Sequence, residues 1–488
     1  MTQFTRRKFV ATTALAGASL PFSASIFGAA RAASGYVRPN VYSEKGMAML
    51  KLYEKAVGVM KGRHAGDPTS YNFQWYTHWT PGKASDNVTK DKIIATLPPS
   101  QRPAAQAMWN TCQGHGAEAK KTIFYFLPWH RMELFYFEEI VRAACGDPSF
   151  TMPYWNYLES EREGVLPDLF RNPSSPLYNP NRRPPGHPGK GVNNGEWVPD
   201  SEVNYDCLKL PDYYSTEATP PNFSSSINNN PHGIMHDLIG NPYASNPLDY
   251  GMSFIPTAAG DPIFFLHHCN IDRLWASWNA AGNKNPDDDP KWAGKEFTFA
   301  NAQGHIAEYF VGKYTNTESL GYTYEHLEPV PKVGGQVAAL AKAPPPRAAA
   351  TVGARAAIKL GAKAMVVTLA PPPGHAMLRD AAQGARTYLV IEGLKVAKLP
   401  GVQYDIYLGA PKGATGDALK PYYVGTPSFF EAAGMPGMGQ DFSFDVSTLA
   451  DTLKQQGNTA PQVTIVPKGG APTKGSNPEI GRISLVSQ

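Results

Sequence analysis

The stretch "DPIFFLHHCNIDRLWASW", Asp261 to Trp278, constrains this chain more than any other. Two adjacent histidines, His267 and His268, interrupt a strongly apolar segment. A buried imidazole costs free energy unless its nitrogens find partners, so the fold has to supply them. Asp261 and Pro262 predict a helix start, and His268, Asp272 and Trp275 then recur on one face. A second pair lies in "NPHGIMHDLIG", where His232 and His236 stand four apart and a helix projects both rings from one side. Pro231 and the asparagines before it mark the expected start of that helix. A lone pair of this spacing is a weak signal. A zinc peptidase would need Glu after the first histidine as its base, and that position is Gly233. Three neutral imidazoles without a carboxylate favour copper over calcium or magnesium, although one such group could also hold mononuclear zinc or iron.

What separates these options is another histidine in another helical pattern, His130 in "PWHRMELFYFEEIVRAACG". Pro128 suits a first turn and Gly146 a stop, and His130, Leu134, Phe137 and Val141 share one face. Across the 488 residues the formal charge is only +4 and no Lys/Arg-rich block occurs, which argues against nucleic acid as a partner. Forty-five Pro and 45 Gly predict long loops between the helices. The four cysteines, Cys112, Cys145, Cys207 and Cys269, are too irregularly spaced for a disulfide framework or a zinc ribbon.

Composition divides the chain. Arg6 and Arg7 precede an apolar, small-residue run ending in "ARA", which predicts a twin-arginine export signal over residues 1–32. Its reader would be the twin-arginine translocation machinery, and its destination periplasmic or secreted. Ser, Thr, Gly and Pro interrupt the run, so a membrane anchor fits poorly, and no transmembrane span follows. Residues 33–328 mix helical patterns with loops and form the expected main domain. Residues 329–352 read as an Ala/Pro-rich linker. From 353 to 488, "AMVVTLA", "TYLVIEGL", "YDIYLG" and "QVTIVP" alternate with Gly/Pro turns, the pattern of a small all-β sandwich.

"FLPWHRMELFYFE" and "DPIFFLHHCNIDRLW" resemble the two copper motifs of the type 3 copper family, the tyrosinases and catechol oxidases. "MPYWNY", "SSPLY" and "LGYTYEH" are similar to segments of its polyphenol oxidase branch. "YLVIEGLKVAKLPGVQYDIYLG" resembles the C-terminal domain of the plant enzymes. The resemblance implies a mainly α catalytic domain, an antiparallel helix bundle holding a dinuclear copper site, followed by a β-sandwich. It implies two copper ions per chain, each held by three histidines, with a small phenolic substrate and O2. The second copper then takes His232, His236 and His268, with His267 a neighbour on the pocket wall. The first takes His130, with His78 in "FQWYTHW" and His115 in "NTCQGHG".

Here the chain departs from the family pattern, which has a histidine where Lys121 stands. An ammonium cannot ligate until it loses its proton, so His115 is preferred and requires the insertion "AEAKKT". Some relatives form a Cys–His thioether at this ligand, with a frequent spacing of two; Cys112 stands three before His115, and a free or disulfide-bonded thiol is the alternative. His64 reads as a solvated loop residue. Two helpers of monophenol hydroxylation also differ, Gly233 replacing an Asn and Asn228 a Glu. An amide cannot act as the base that a carboxylate-held water could. Asp237 would substitute for them, favour an amine-bearing substrate, or merely face solvent. The implied activity is oxidation of catechols to quinones, and the alternative is reversible oxygen binding without turnover. The implied role of the tail is a cover over the copper site, with Ser428–Gln440 as the contact segment.

Overall fold

The long helix of the opening stretch, with the His130 helix beside it, organises the structure. The computed structural model describes residues 35–83, 87–113, 123–185, 191–214, 221–330, 350–371, 386–434, 439–458 and 460–487. Residues 1–32, Lys121, His115, residues 435–438 of the expected contact segment and most of the expected linker lie outside the described residues.

Five helices place the site: α1 (Glu44–Lys61), α2 (Tyr71–His78), α3 (Phe126–Cys145), α4 (Ile234–Ile239) and α5 (Ile263–Ala280). Ser43 and Ser70 cap α1 and α2, their hydroxyls accepting from the Gly46 and Phe73 N–H groups at 3.1 Å each. Helix α3 begins two residues earlier than the pattern predicts. Pro128 is then its third residue, where no N–H is owed to an intrahelical carbonyl. Gly146 stops it in the left-handed conformation at φ +71°. At the head of α5, Asp261 accepts from the Ile263 N–H at 3.2 Å, and its two oxygens are clamped by buried Arg182 at 2.8 and 2.7 Å.

The His232 segment is not one regular helix. A short turn of helix, Phe223–Ile227, opens into a wide turn over Asn228–Gly233 before α4 begins. Asn230 is extended there (φ −137°, ψ 119°). Pro231 explains the break, since proline disfavours helical geometry in the residue before it and has no N–H to give.

Helices α3 and α5 are locked by charge as well as packing. Phe137 stacks on Phe265 with ring centroids 3.5 Å apart. Asp272 of α5 accepts from Arg131 Nε of α3 at 2.5 Å, from Arg38 at 3.2 Å, and from the Tyr322 and Tyr324 hydroxyls at 2.7 and 2.5 Å. Glu138 of α3 takes the other face of Arg38 at 2.9 Å. Burial alone would raise the Asp272 carboxyl, but Arg131 and Arg38 hold it below the usual carboxylate range. Arg131 follows His130 directly, and His268 lies one turn before Asp272. One ionic knot therefore sets the spacing of both histidines.

The C-terminal part is two four-stranded antiparallel sheets over a shared core. The first orders Gln440–Asp445, Thr387–Leu394, Glu479–Ser487 and Ala350–Lys359; the second orders Met365–Val367, Val463–Lys468, Gln403–Leu408 and Tyr423–Gly425. Leu389, Ile391, Ile483, Ile406 and Val463 meet between them. The first strand begins at Ala350, inside the stretch that reads as linker. Alanines carry little strand signal, and this strand is held by its ladder to Glu479–Ser487. The chain is thus a mainly helical domain followed by a β-sandwich. The two parts exchange side chains: Tyr250 and Phe254 enter the sandwich core, and Phe430 enters the helical core.

Candidate metal centre

Six histidine rings gather between α2, α3, α4 and α5, all buried. His232, His236, His267 and His268 form one donor group, and His78, Cys112 and His130 form another; within each, the donor atoms lie within 4.8 Å of one another. The groups meet where His130 stacks on His268, with ring centroids 4.3 Å apart and planes 15° off parallel.

Backbone carbonyls set the orientation of the rings. His130 Nδ1 pairs with the Phe126 carbonyl at 2.8 Å, His232 Nδ1 with that of Asn228 at 3.1 Å, and His236 Nδ1 with that of Met252 at 2.8 Å. Each carbonyl can only accept, so these Nδ1 atoms carry the proton and the Nε2 lone pairs face inward. His236 Nε2 and His268 Nε2 stand 3.4 Å apart. At most one proton can lie between two such nitrogens, whereas a metal ion satisfies both. His268 is held well below the ordinary histidine value by burial and by its neighbours His130, His232, His267 and His236. Burial likewise pushes His267 down to about 3. Burial thus disfavours the charged form of His267 and His268, and the carbonyl bonds aim His130, His232 and His236 inward, as a metal ligand needs. With no carboxylate in either donor group, the residues fit copper.

His267, expected on the wall, lies inside the second donor group, its ring stacked on His232 at 5.6 Å and 5.8 Å from the ring of Tyr157. Apolar rings close the space around the rest. Phe264 packs against His268 at 4.1 Å and His78 at 4.9 Å, and Phe126 against His232 at 4.6 Å. His64 stands apart in an exposed turn, where its Nδ1 accepts from the Gly66 N–H at 3.1 Å.

The remaining expected site residues, Asn228, Gly233 and Asp237, face the C-terminal part. Asn228 Nδ2 donates to Glu431 at 2.8 Å. Asp237 accepts from the Ser428 hydroxyl and the Phe429 N–H, both at 2.9 Å, and is not the surface carboxylate considered above. Burial pushes its carboxyl up to about 7, against the opposing pull of those two donors. A Cβ at Gly233 would fall 2.5 Å from Ser428 Oγ, so only glycine lets this segment sit so close. Asn229 pairs with the Ser428 N–H at 2.7 Å and the Thr426 carbonyl at 3.3 Å. Held by these contacts, Phe430 stacks on His236 at 4.0 Å, 9° from parallel, and meets the ring of His232 edge-on at 5.7 Å. Motif reading missed Phe430. The pair Phe429–Phe430 in a Gly/Ala-rich stretch was the available signal.

Two imidazole groups joined by a stacked pair, on a helical core under a β-sandwich, define a dinuclear copper protein of type 3. The comparisons agree. The common central domain of tyrosinase matches residues 68–202 and 188–281, and a domain of unknown function (DUF7868) matches 348–488. A tyrosinase of Hahella sp. is 30% identical over 490 residues, spanning 92% of this chain and 99% of that one. A chloroplastic polyphenol oxidase of Malus domestica is 26% identical over 387 residues, 71% of this chain and 64% of that one. Among solved structures, latent apple tyrosinase shares the fold with a TM-score of 0.62 at 22% identity, covering 93% of this chain and 98% of that one. A functional unit of octopus hemocyanin shares it at 0.51 and 14% identity, covering 92% and 99%.

The chain belongs to the tyrosinase family. It is a copper oxidoreductase whose cofactor is two copper ions. Among the described residues no helix is long and apolar enough to cross a membrane.

Proposed function

We propose that the chain oxidises o-diphenols to o-quinones with O2, and that the intact protein is latent, its tail covering the centre. The observation that carries the reading is the stacked pair His130 and His268, which places the two donor groups side by side in a pocket walled by aromatic rings.

His232, His236 and His268 would hold one copper, and His78 and His130 the other, with His115 as the third donor expected from the motif. When bound, the pair supplies the electron transfer between catechol and O2, two catechols being oxidised for each O2 reduced to water. The protein contributes orientation and exclusion. The Phe126, Asn228 and Met252 carbonyls fix ring tautomers, and Phe264 and Phe126 keep the pocket apolar.

Catechols are favoured over monophenols because the groups beside the second half-site offer poor proton acceptors. Asn228 is an amide and Gly233 has no side chain. In the intact protein the Asp237 carboxylate also accepts from Ser428 and Phe429. Latency rests on Phe430, which occupies the face of His236 where an aromatic substrate ring would stack. Lys468 of the sandwich reinforces the closure by pairing with Asp200 and, at 3.4 Å, Glu202 of the helical domain. Export by the twin-arginine route, supported by Arg6 and Arg7, fits such closure, since that route moves folded proteins.

Initial rates on a catechol and on its monophenol counterpart, taken after tail removal, test the preference. The catechol rate should exceed the monophenol rate by a wide margin. Fast, lag-free hydroxylation of the monophenol would show that a base, Asp237 being the nearest carboxylate, does act.

A further inference from the structure

Trp129 stands directly before His130 on α3 and packs against two rings of the first half-site, His130 at 4.9 Å and His78 at 6.1 Å between centroids. From it a run of rings leads outward. Phe299, on the strand Glu296–Ala300, meets Trp129 at 5.6 Å and lies 12° from parallel with Tyr136, again at 5.6 Å. Tyr136 follows Trp129 by two turns on the same face of α3. It stacks on Tyr309 at 4.6 Å, and its hydroxyl is hydrogen-bonded to that of Tyr314. Trp129, Phe299 and Tyr136 are buried. Tyr309, on the strand Ile306–Phe310, is half-buried between exposed Glu308 and Phe310. The run therefore joins the pocket to solvent from the first half-site, whereas Phe430 stacks on the second.

The chemistry of these rings changes along the run in a way that packing alone does not require. Phe264, Phe126 and Phe430, which pack on other histidines of the centre, are phenylalanines and hold their electrons more tightly than an indole or a phenol. Trp129 is an indole whose buried Nε1–H has no hydrogen-bond partner. Once oxidised, it has no acceptor for its proton, so it stays a cation and draws an electron from the next oxidisable ring. Tyr136 has the opposite surroundings. Burial first, and then the hydroxyls of Tyr314 and Tyr309, hold its phenol far above the ordinary value. It therefore gives up electron and proton together, and the neighbouring hydroxyls offer that proton a way out.

We propose that Trp129, Tyr136 and Tyr309 form an electron path that carries oxidising equivalents from the copper pair to the surface and spares the histidines when no phenol is bound. O2 needs four electrons to become water; a reduced copper pair supplies two and a catechol the other two. In the closed protein Phe430 occupies the face where a catechol would stack, so the missing electrons have to come from the protein. Each passage moves one electron from Tyr136 through Trp129 to the oxygen, which also takes a proton from solvent. Tyr136 loses that electron and releases its phenolic proton past Tyr314 and Tyr309, leaving a neutral tyrosyl radical. Tyr309 then passes in an electron from a dissolved phenol or other one-electron donor, which is oxidised in its place. The proposal rests on O2 being reduced at the copper pair, and not on which phenol is oxidised there.

The test reduces the full-length, two-copper protein anaerobically, removes the reductant and admits O2 without any phenol. O2 uptake is followed, and samples frozen in sequence are read by electron paramagnetic resonance. The parent should show a tyrosyl radical that ferrocyanide quenches. Tyr136→Phe should lose most of that signal, yet keep both coppers and the parent's catechol turnover, which shows that it is folded. Over repeated phenol-free exposures its His78 and His130 peptides should gain oxygen severalfold faster than the parent's, read by mass spectrometry. Tyr309→Phe should keep the radical and slow its quenching by ferrocyanide severalfold. Tyr157→Phe, beside His267, should change neither. O2 uptake without a tyrosyl radical in the parent would overturn the proposal, as would an undiminished signal or unchanged histidine oxidation in Tyr136→Phe. Absence of O2 uptake would overturn the oxidase reading itself, and the path with it.

Discussion

In the half-site of His232, His236 and His268, every ring comes from helix or the turn that opens one, and two are oriented by backbone carbonyls. In the half-site of His78 and His130, α2 and α3 supply two rings among the described residues, and Cys112 of a connecting segment lies beside them. The first arrangement is a set of local spacings; the second depends on where a loop is tied down. The tail treats them differently too, since Phe430 stacks on the second half-site. Helical spacing thus yields a centre readable from motifs, and the irregular half is where this chain can differ from its relatives.

The largest effect expected is at the joint between the halves. His268→Ala should cost one copper and all turnover, because His268 both faces His236 and stacks on His130. His267→Ala should retain both coppers with reduced turnover. Copper analysis of the two variants decides which of the adjacent rings is the ligand, and copper loss only in His267→Ala would exchange their roles.

Asp272→Asn should come next, destabilising the helical domain by about 3–5 kcal/mol in urea unfolding, since Arg131 and Arg38 would keep buried charge without its partner. The pH dependence follows from the sign of the shift. Asp272 is depressed in the folded state, so its contribution is present above the unfolded value of about 4 and is lost as pH falls through the lower folded value. The gap between parent and variant should therefore narrow below about pH 4. A gap independent of pH would mean that the knot does not carry the stability assigned to it.

The smallest effect is the most diagnostic for the tail. Gly233→Asn restores the family's usual residue, and from the motif alone it should raise monophenol hydroxylation. The structure predicts something else, because any Cβ there strikes Ser428. The variant should unseat the tail and raise catechol turnover severalfold in the intact protein, with little change once the tail is removed. Equal gains in both forms would return Gly233 to a purely catalytic role.

These differences mark what the sequence could and could not convey. The helices carrying His130 and His268 were legible because side-chain periodicity and a proline near the start agree, and for the His130 helix a glycine stop as well. The wide turn at Asn228–Gly233 was not, since Pro231 reads equally as a helix start. The strands Ala350–Lys359 and Glu479–Ser487 escaped because small and polar residues hide them; each is defined by its partner's ladder. Asn228 and Gly233 looked like lost catalytic groups. Their other role, seating Ser428 and Glu431 some 200 residues away, is a long-range contact that no local pattern encodes.

The central claim is a two-copper oxidase closed by its own tail. One preparation carrying an engineered protease site between Val330 and Ala350 tests it, with copper content and quinone formation from a catechol measured before and after cleavage. The account predicts two coppers per chain throughout and a severalfold rise in quinone formation on cutting and releasing the tail. Two coppers with no catechol oxidised in either state would contradict it, and would leave an oxygen-binding protein in place of an enzyme.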